Sequence, residues 1–175
     1  MLGSEILDVA IGLVLVFLLM SLMATAIREA IESFMKSRAV YLERGIREML
    51  ADAKGDGMAK AFYEHPLIYS LFQGTFEYKE KRVLGGGLPT YIPAKNFAQA
   101  IMDLAIRGPI QSEYAAAQSA PQLSVATLRE NAVRLRNPLL VRAVLAAIDH
   151  SEGDLNKARE NIQAWFDSSM DRVSG

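Results

Sequence analysis

Few residues in the chain are equipped for acid–base or metal chemistry: two histidines, His65 and His150, and no cysteine. His65 stands directly before Pro66. A residue in that place is held extended at a helix junction, where an imidazole serves as a local cap or packs as a ring rather than as a catalyst. His150 follows a long apolar run and falls near a helix C-terminus, where the macrodipole favours an imidazolium. Asp149, His150 and Glu152 are three metal-ligand types within four positions. Three neighbours at one helix end make a poor metal site, and no metal is expected there. No His-x-x-x-His pair, nucleophile elbow or nucleotide fingerprint occurs. Gly85-Gly86-Gly87 is not a phosphate loop, because no Gly-Lys-Ser/Thr follows it. The missing cysteines remove disulfides, thiolate metal sites and a thiol nucleophile, which suits a reducing compartment. A net charge of −1 gives no reason to expect nucleic acid as a partner. These residues assign no catalytic group and no cofactor. An enzyme would need a polar pocket built from His65, His150 and Asp149.

The elements explain the sparse chemistry. Residues 9–27, VAIGLVLVFLLMSLMATAI, contain no charge. As a helix they cover about 28 Å, close to the hydrocarbon thickness of a bilayer. A transmembrane helix is the expected state. A cleaved signal peptide fits poorly: Ala24-Thr25-Ala26 resembles a cleavage site, but Glu5 and Asp8 precede the run and no Lys or Arg does. A buried core helix fits poorly because the stretch is long and apolar all round. Arg28, Lys36, Arg38, Arg44 and Arg47 follow the run. The positive-inside rule then places the N-terminus outside and the rest of the chain in the cytoplasm. Lys36, Arg38, Arg44 and Arg47 are the candidate headgroup contacts. Asp8 sits at the outer end of the span, and Gly12, Ser21 and Thr25 are small enough to allow close helix contact. These four are candidate interface residues.

The membrane helix leaves roughly 145 residues, enough for one hydrophobic core. Residues 28–53 continue the first helix as an amphipathic segment, with Ile27, Ile31, Phe34 and Met35 on its stripe and a break expected at Ser37. Residues 54–57 stop it. Short helices are expected over 58–64 and 66–72. Residues 74–92 read as an irregular loop with a short strand near Phe76 and a charged run from Lys79 to Arg82. Pro93 opens a helix as its first residue, to about Ile106. Residues 107–122 form a connector. Ser124, Asn137 and Asp154 cap three closing helices. The helix after Asn137-Pro138, apolar on most sides, is the expected most buried one. The last carries Leu155, Ala158, Ile162, Trp165, Phe166 and Met170, a stripe whose Trp165 and Phe166 are further interface candidates. The fold class is therefore all-α: one N-terminal span, residues 1–27; an amphipathic exit helix, 28–53; and a cytoplasmic domain of about six helices, 54–175.

Several patches resemble an uncharacterised family of bacterial inner-membrane proteins. They are LDVAIGLV at residues 7–14, LERGIR at 42–47, HPLI at 65–68, YIPA at 91–94, WFD at 165–167 and MDRVSG at 170–175. The resemblance implies a bacterial inner membrane, and a chain that is the front part of a longer protein with further membrane helices. It carries no catalytic residue to transfer.

The expected role is a membrane-anchored scaffold or assembly protein acting through helix–helix contacts. Its expected partners are the lipid bilayer and copies of itself or other membrane-protein chains. An accessory subunit of a larger membrane complex for transport, secretion or energy conversion is the alternative. A pore is disfavoured, because one apolar helix offers no polar lining.

Overall fold

Helix α1 runs unbroken over Leu2–Met49, 48 residues. Ser37 does not interrupt it, contrary to expectation. The Ser37 hydroxyl donates to the Ser33 carbonyl at 2.9 Å, a bond made inside the helix. No glycine or proline lies between residues 28 and 44 to open the ladder. The helix ends before the expected limit at residue 53. Ala51 N–H donates to Glu48 O and Asp52 N–H to Arg47 O, with Ala51 at φ 45°. This is a Schellman closure with alanine in the left-handed position usually taken by glycine. The computed structural model describes residues 2–72, 74, 76, 87–109, 122–135 and 137–174. Among the described residues six helices follow α1, with one 3-10 turn and no strand. They are α2 (Met58–Glu64), α3 (Pro66–Tyr69), α4 (Ala94–Arg107), α5 (Val125–Asn131), α6 (Pro138–Asp149) and α7 (Leu155–Ser174), with the 3-10 turn Ala132–Leu135 between α5 and α6.

The caps follow from local sequence. Ser124 and Thr127 form a reciprocal capping box at α5. The Asn137 carboxamide oxygen accepts from Leu139 and Leu140 N–H, and Pro138 fills the first position of α6. Asp154 accepts from Asn156 N–H at α7. Pro93 is the cap residue of α4, one place before the expected position, with ψ 134° leaving it extended. Helix α3 is shorter than expected: Leu71 and Phe72 turn away through i−3 bonds to Ile68 and Tyr69.

Carbonyls at helix C-termini have no partner inside their own helix. Here side chains of other helices meet them. Asn137 Nδ2 donates to Leu50 O at the end of α1. Arg134 donates to Ile106 O at the end of α4. Asn161 donates to Ala147 O near the end of α6, and Asn96 to Leu67 O in α3. These bonds stitch the domain around α4.

Helix α4 is the most buried element, not α6 as expected. Phe97, Ala98, Ala100, Ile101, Met102, Leu104, Ala105 and Ile106 are all buried. It packs against α2, α3, α5, α7 and the 3-10 turn. Helix α6 is apolar on most sides but has neighbours on fewer, so Leu139 stays 70% exposed. The C-terminal part of α1 joins this core through Ala39, Ile46 and Leu50, and Gly45 is buried on it. Its N-terminal part does not. From residue 3 to residue 35 nothing on α1 is buried. Its most apolar 18-residue window has a mean hydropathy of 2.7, long and apolar enough to cross a membrane. A buried core helix is therefore ruled out for this stretch.

The expected strand near Phe76, the charged run from Lys79 to Arg82 and most of the connector 107–122 lie outside the described residues. Within the expected loop, Phe76 stacks on Tyr63 at 4.3 Å, and Leu88 and Ile92 are buried.

Candidate functional site

His65 is structural where it stands. Leu67 N–H donates to His65 Nδ1 at 3.3 Å, so the ring caps α3 and carries its proton on Nε2. Nε2 then lies 3.3 Å from Asp103 Oδ2, on α4. Both ring nitrogens are committed, which leaves none for proton transfer to a substrate. Arg107 also bonds Asp103. The His65 hydrogen bond, with the Arg107 charge, holds the Asp103 carboxyl below the ordinary aspartate range, against the opposing effect of partial burial. A depressed folded value stabilises above the unfolded one and is lost as pH falls through the folded one. Wild-type stability should therefore decline as pH falls from about 5 through the acid range. Asp103→Asn should cost about 1–2 kcal/mol at neutral pH and flatten that acid limb. Denaturant unfolding of both proteins between pH 3 and pH 7 checks this; parallel curves would refute it.

The residues around His150 are separately engaged. His150 Nδ1 donates to Ala146 O at 2.7 Å. Asp149 pairs with Arg129, and Glu152 with Lys157 at 2.7 Å. Among the described residues no three His, Cys, Asp or Glu side chains converge on one point.

The other candidates sort along α1. Thr25 Oγ1 donates to Ser21 O at 3.0 Å within the helix. A Cβ on Gly12 would meet nothing within 4 Å, and Asp8 is exposed. Lys36 pairs with Glu32. Arg44 approaches Glu48 at 3.7 Å on an exposed face. Arg47 donates to Glu43 at 2.8 Å and to Ala53 O at 2.8 Å, its side chain only 18% exposed. It is held against the domain and is not offered to a lipid surface, which corrects its place among the headgroup candidates. Arg38 is exposed, and among the described residues it forms no ion pair.

Arg38 lines a groove of about 690 Å³ where the middle of α1 meets residues 90–92 and α7. Phe34, Tyr41 and Tyr91 give it aromatic walls, and Asp167 and Asp171 share its rim with Arg38. Tyr41 and Tyr91 are well exposed. One guanidinium, two carboxylates and four aromatic rings, the fourth from Phe166 at the base, suit contact with an amphipathic surface rather than bond-making chemistry. Trp165 and Phe166 face inward instead. Phe166 is 3% exposed and stacks on Phe97 at 4.3 Å, and Trp165 tilts against Phe97 at 6.0 Å. Their stripe is largely covered by α4 of the same chain, so Phe166 is a core residue that reaches the groove only at its base. Tyr41, Tyr91 and Asp167 escaped the sequence because they come from three separate elements. Asp103 escaped because it lies 38 positions from His65. Comparison with protein-family models, curated proteins and solved structures finds no match for the chain.

Proposed function

We propose that this chain is a membrane-anchored assembly protein, with the first half of α1 spanning the bilayer and the helical domain working through helix–helix contacts. The observation that carries this is the continuity of α1. The same helix is wholly exposed and apolar in its first half and part of the domain core in its last turns. Cleavage at Ala24-Thr25-Ala26 would cut it mid-helix, with no polar segment to free the domain. A bacterial inner membrane is the setting favoured by the resembling patches. The absence of Lys and Arg before Arg28 favours an N-terminus outside and a cytoplasmic domain. The partners are copies of the chain or other membrane proteins.

The full chain, free of cysteine, allows a direct test. Gly3→Cys and Lys54→Cys variants are expressed in a bacterium and membranes are washed with alkaline carbonate. Both variants should stay in the membrane at full length. Gly3→Cys should react with an impermeant maleimide in intact cells, and Lys54→Cys only after permeabilisation. Release by the wash, or a chain shortened near residue 26, overturns the anchor. Reversed labelling overturns the orientation. Gentle extraction with mass spectrometry of every chain then separates self-assembly from membership of a larger complex.

A further inference from the structure

We infer that the groove beside α1 seats one zwitterionic phospholipid headgroup, its phosphate on Arg38 and its ammonium on Asp167 beside the rings of Tyr41 and Tyr91; this deepens the membrane-anchored reading above and rests on it. Arg38 and Asp167 line the same groove, and both are exposed. Among the described residues neither forms an ion pair, with the other or with a third group. An unsatisfied cation and an unsatisfied anion thus face one concave space of about 690 Å³, within the range of small-molecule sites. A ligand that satisfies both carries an anion and a cation on one short frame. A phosphate takes the guanidinium in two parallel N–H bonds. Thr90, also in the lining, offers it a hydroxyl. A primary ammonium donates to the carboxylate and rests against Tyr41 and Tyr91, which are 59% and 64% exposed. Asp171 lines the groove too, so its acids outnumber its base. That disfavours an anionic headgroup with no ammonium, which both carboxylates repel.

The groove also stands where a lipid reaches it. Ile27, Ile31 and Phe34 follow one stripe of α1 at steps of 4 and 3, and all three are exposed. This stripe leads from the span to the groove, of which Phe34 is the lining residue nearest the membrane. Phe34 is 70% exposed, so the domain does not close that end. With the hydrocarbon ending near Ile27, Phe34 lies about 10 Å and Arg38 about 16 Å beyond it. Helix side chains lean toward the N-terminus, here the membrane side, so the Arg38 guanidinium reaches back toward the level of Phe34. The headgroup layer is roughly 5–7 Å deep. A lipid held by Arg38 therefore rises about 3–5 Å out of its leaflet. Phe34 and Ile31 give the methylenes it draws up an apolar wall.

The test is native mass spectrometry of the full chain in a non-ionic detergent, with equal amounts of phosphatidylethanolamine and phosphatidylglycerol of matched tails. The wild type should retain one phosphatidylethanolamine, about fivefold or more over phosphatidylglycerol. Arg38→Ala should lower that retention about tenfold. Asp167→Asn should bring the two lipids to parity, because it removes an ammonium acceptor and a repelling carboxylate together. Arg142→Ala, an exposed cation of α6 outside the groove, should change neither. The Asp167→Asn ratio still decides if Arg38→Ala fails to fold. Equal retention of both lipids by the wild type, or no response to either groove substitution, overturns the site. So does displacement by an equal concentration of tail-free phosphoethanolamine, or a protein chain bound in place of lipid. In each of these cases the chain still needs its detergent. A chain that stays in solution once detergent is withdrawn overturns the anchor itself.

Discussion

Phe97→Ala is expected to cost about 3–5 kcal/mol, a large share of the 5–15 kcal/mol typical of a whole domain. Phe97 is fully buried at the centre of α4. Its ring lies 4.3 Å from Phe166, 5.3 Å from Phe62 and 6.0 Å from Trp165. Truncation removes the ring on which α2 and α7 both close, and leaves a cavity that three rigid neighbours cannot collapse into. For a domain of this size the melting temperature should drop by about 10–20 °C. Trp165 is the only tryptophan in the chain, so fluorescence during thermal unfolding of the full chain in detergent reports this core directly. Phe17→Ala is the matched control. Phe17 is exposed on the free half of α1, so the domain transition should move by less than about 0.5 kcal/mol. A melting temperature for Phe97→Ala within a few degrees of wild type would show that the core does not close on this ring.

Asp52→Ala is expected to cost about 2–4 kcal/mol, because one carboxylate ties three backbone amides of the junction between α1 and α2. It accepts N–H bonds from Gly55 at 2.9 Å, Gly57 at 3.0 Å and Ala59 at 2.9 Å. Gly57, the cap residue of α2, has no side chain to offer the helix. Asp52 does that work from five positions upstream. A Cβ at Gly57 would sit 3.4 Å from Asp52 Oδ2, in ordinary van der Waals contact. Asp52→Asn keeps one acceptor oxygen but turns two donors toward backbone N–H groups, so it should recover about half of the loss. Amide hydrogen exchange at Gly55, Gly57 and Ala59 should speed up in both variants. Unchanged exchange at these three amides would refute the role.

What was legible in the sequence was what is local. Ser124, Asn137-Pro138 and Asp154 cap their helices within three residues of themselves, and the apolar spacing between them did the rest. Residues 58–64 came out as written because glycine and His65-Pro66 bracket them. Ser37 misled because serine is a weak helix breaker whose hydroxyl can join the ladder. Asp52 left a trace in the turn residues Gly55 and Gly57 behind it, a signal of a side chain accepting from its own loop. Nothing local marks Asn137 as the partner of Leu50, 87 positions away, or Asp103 as the partner of His65. The stripe on α7 was visible, but not what covers it: only packing shows that Phe97 stands opposite Phe166. The stripe at Ile27, Ile31 and Phe34 was equally visible, and there the chain supplies no cover.

In the membrane-anchored reading proposed above, an α1 without a hinge makes the anchor a lever. A soft linker would let a domain tumble beneath its span; a continuous helix bends only gently along its length. In that reading, turning the first half by one residue carries the domain through about 100°, and tilting it carries the domain through the same angle. Whatever clamps the first half of α1 thus sets the azimuth at which the groove at Arg38, Tyr41 and Tyr91 faces its surroundings.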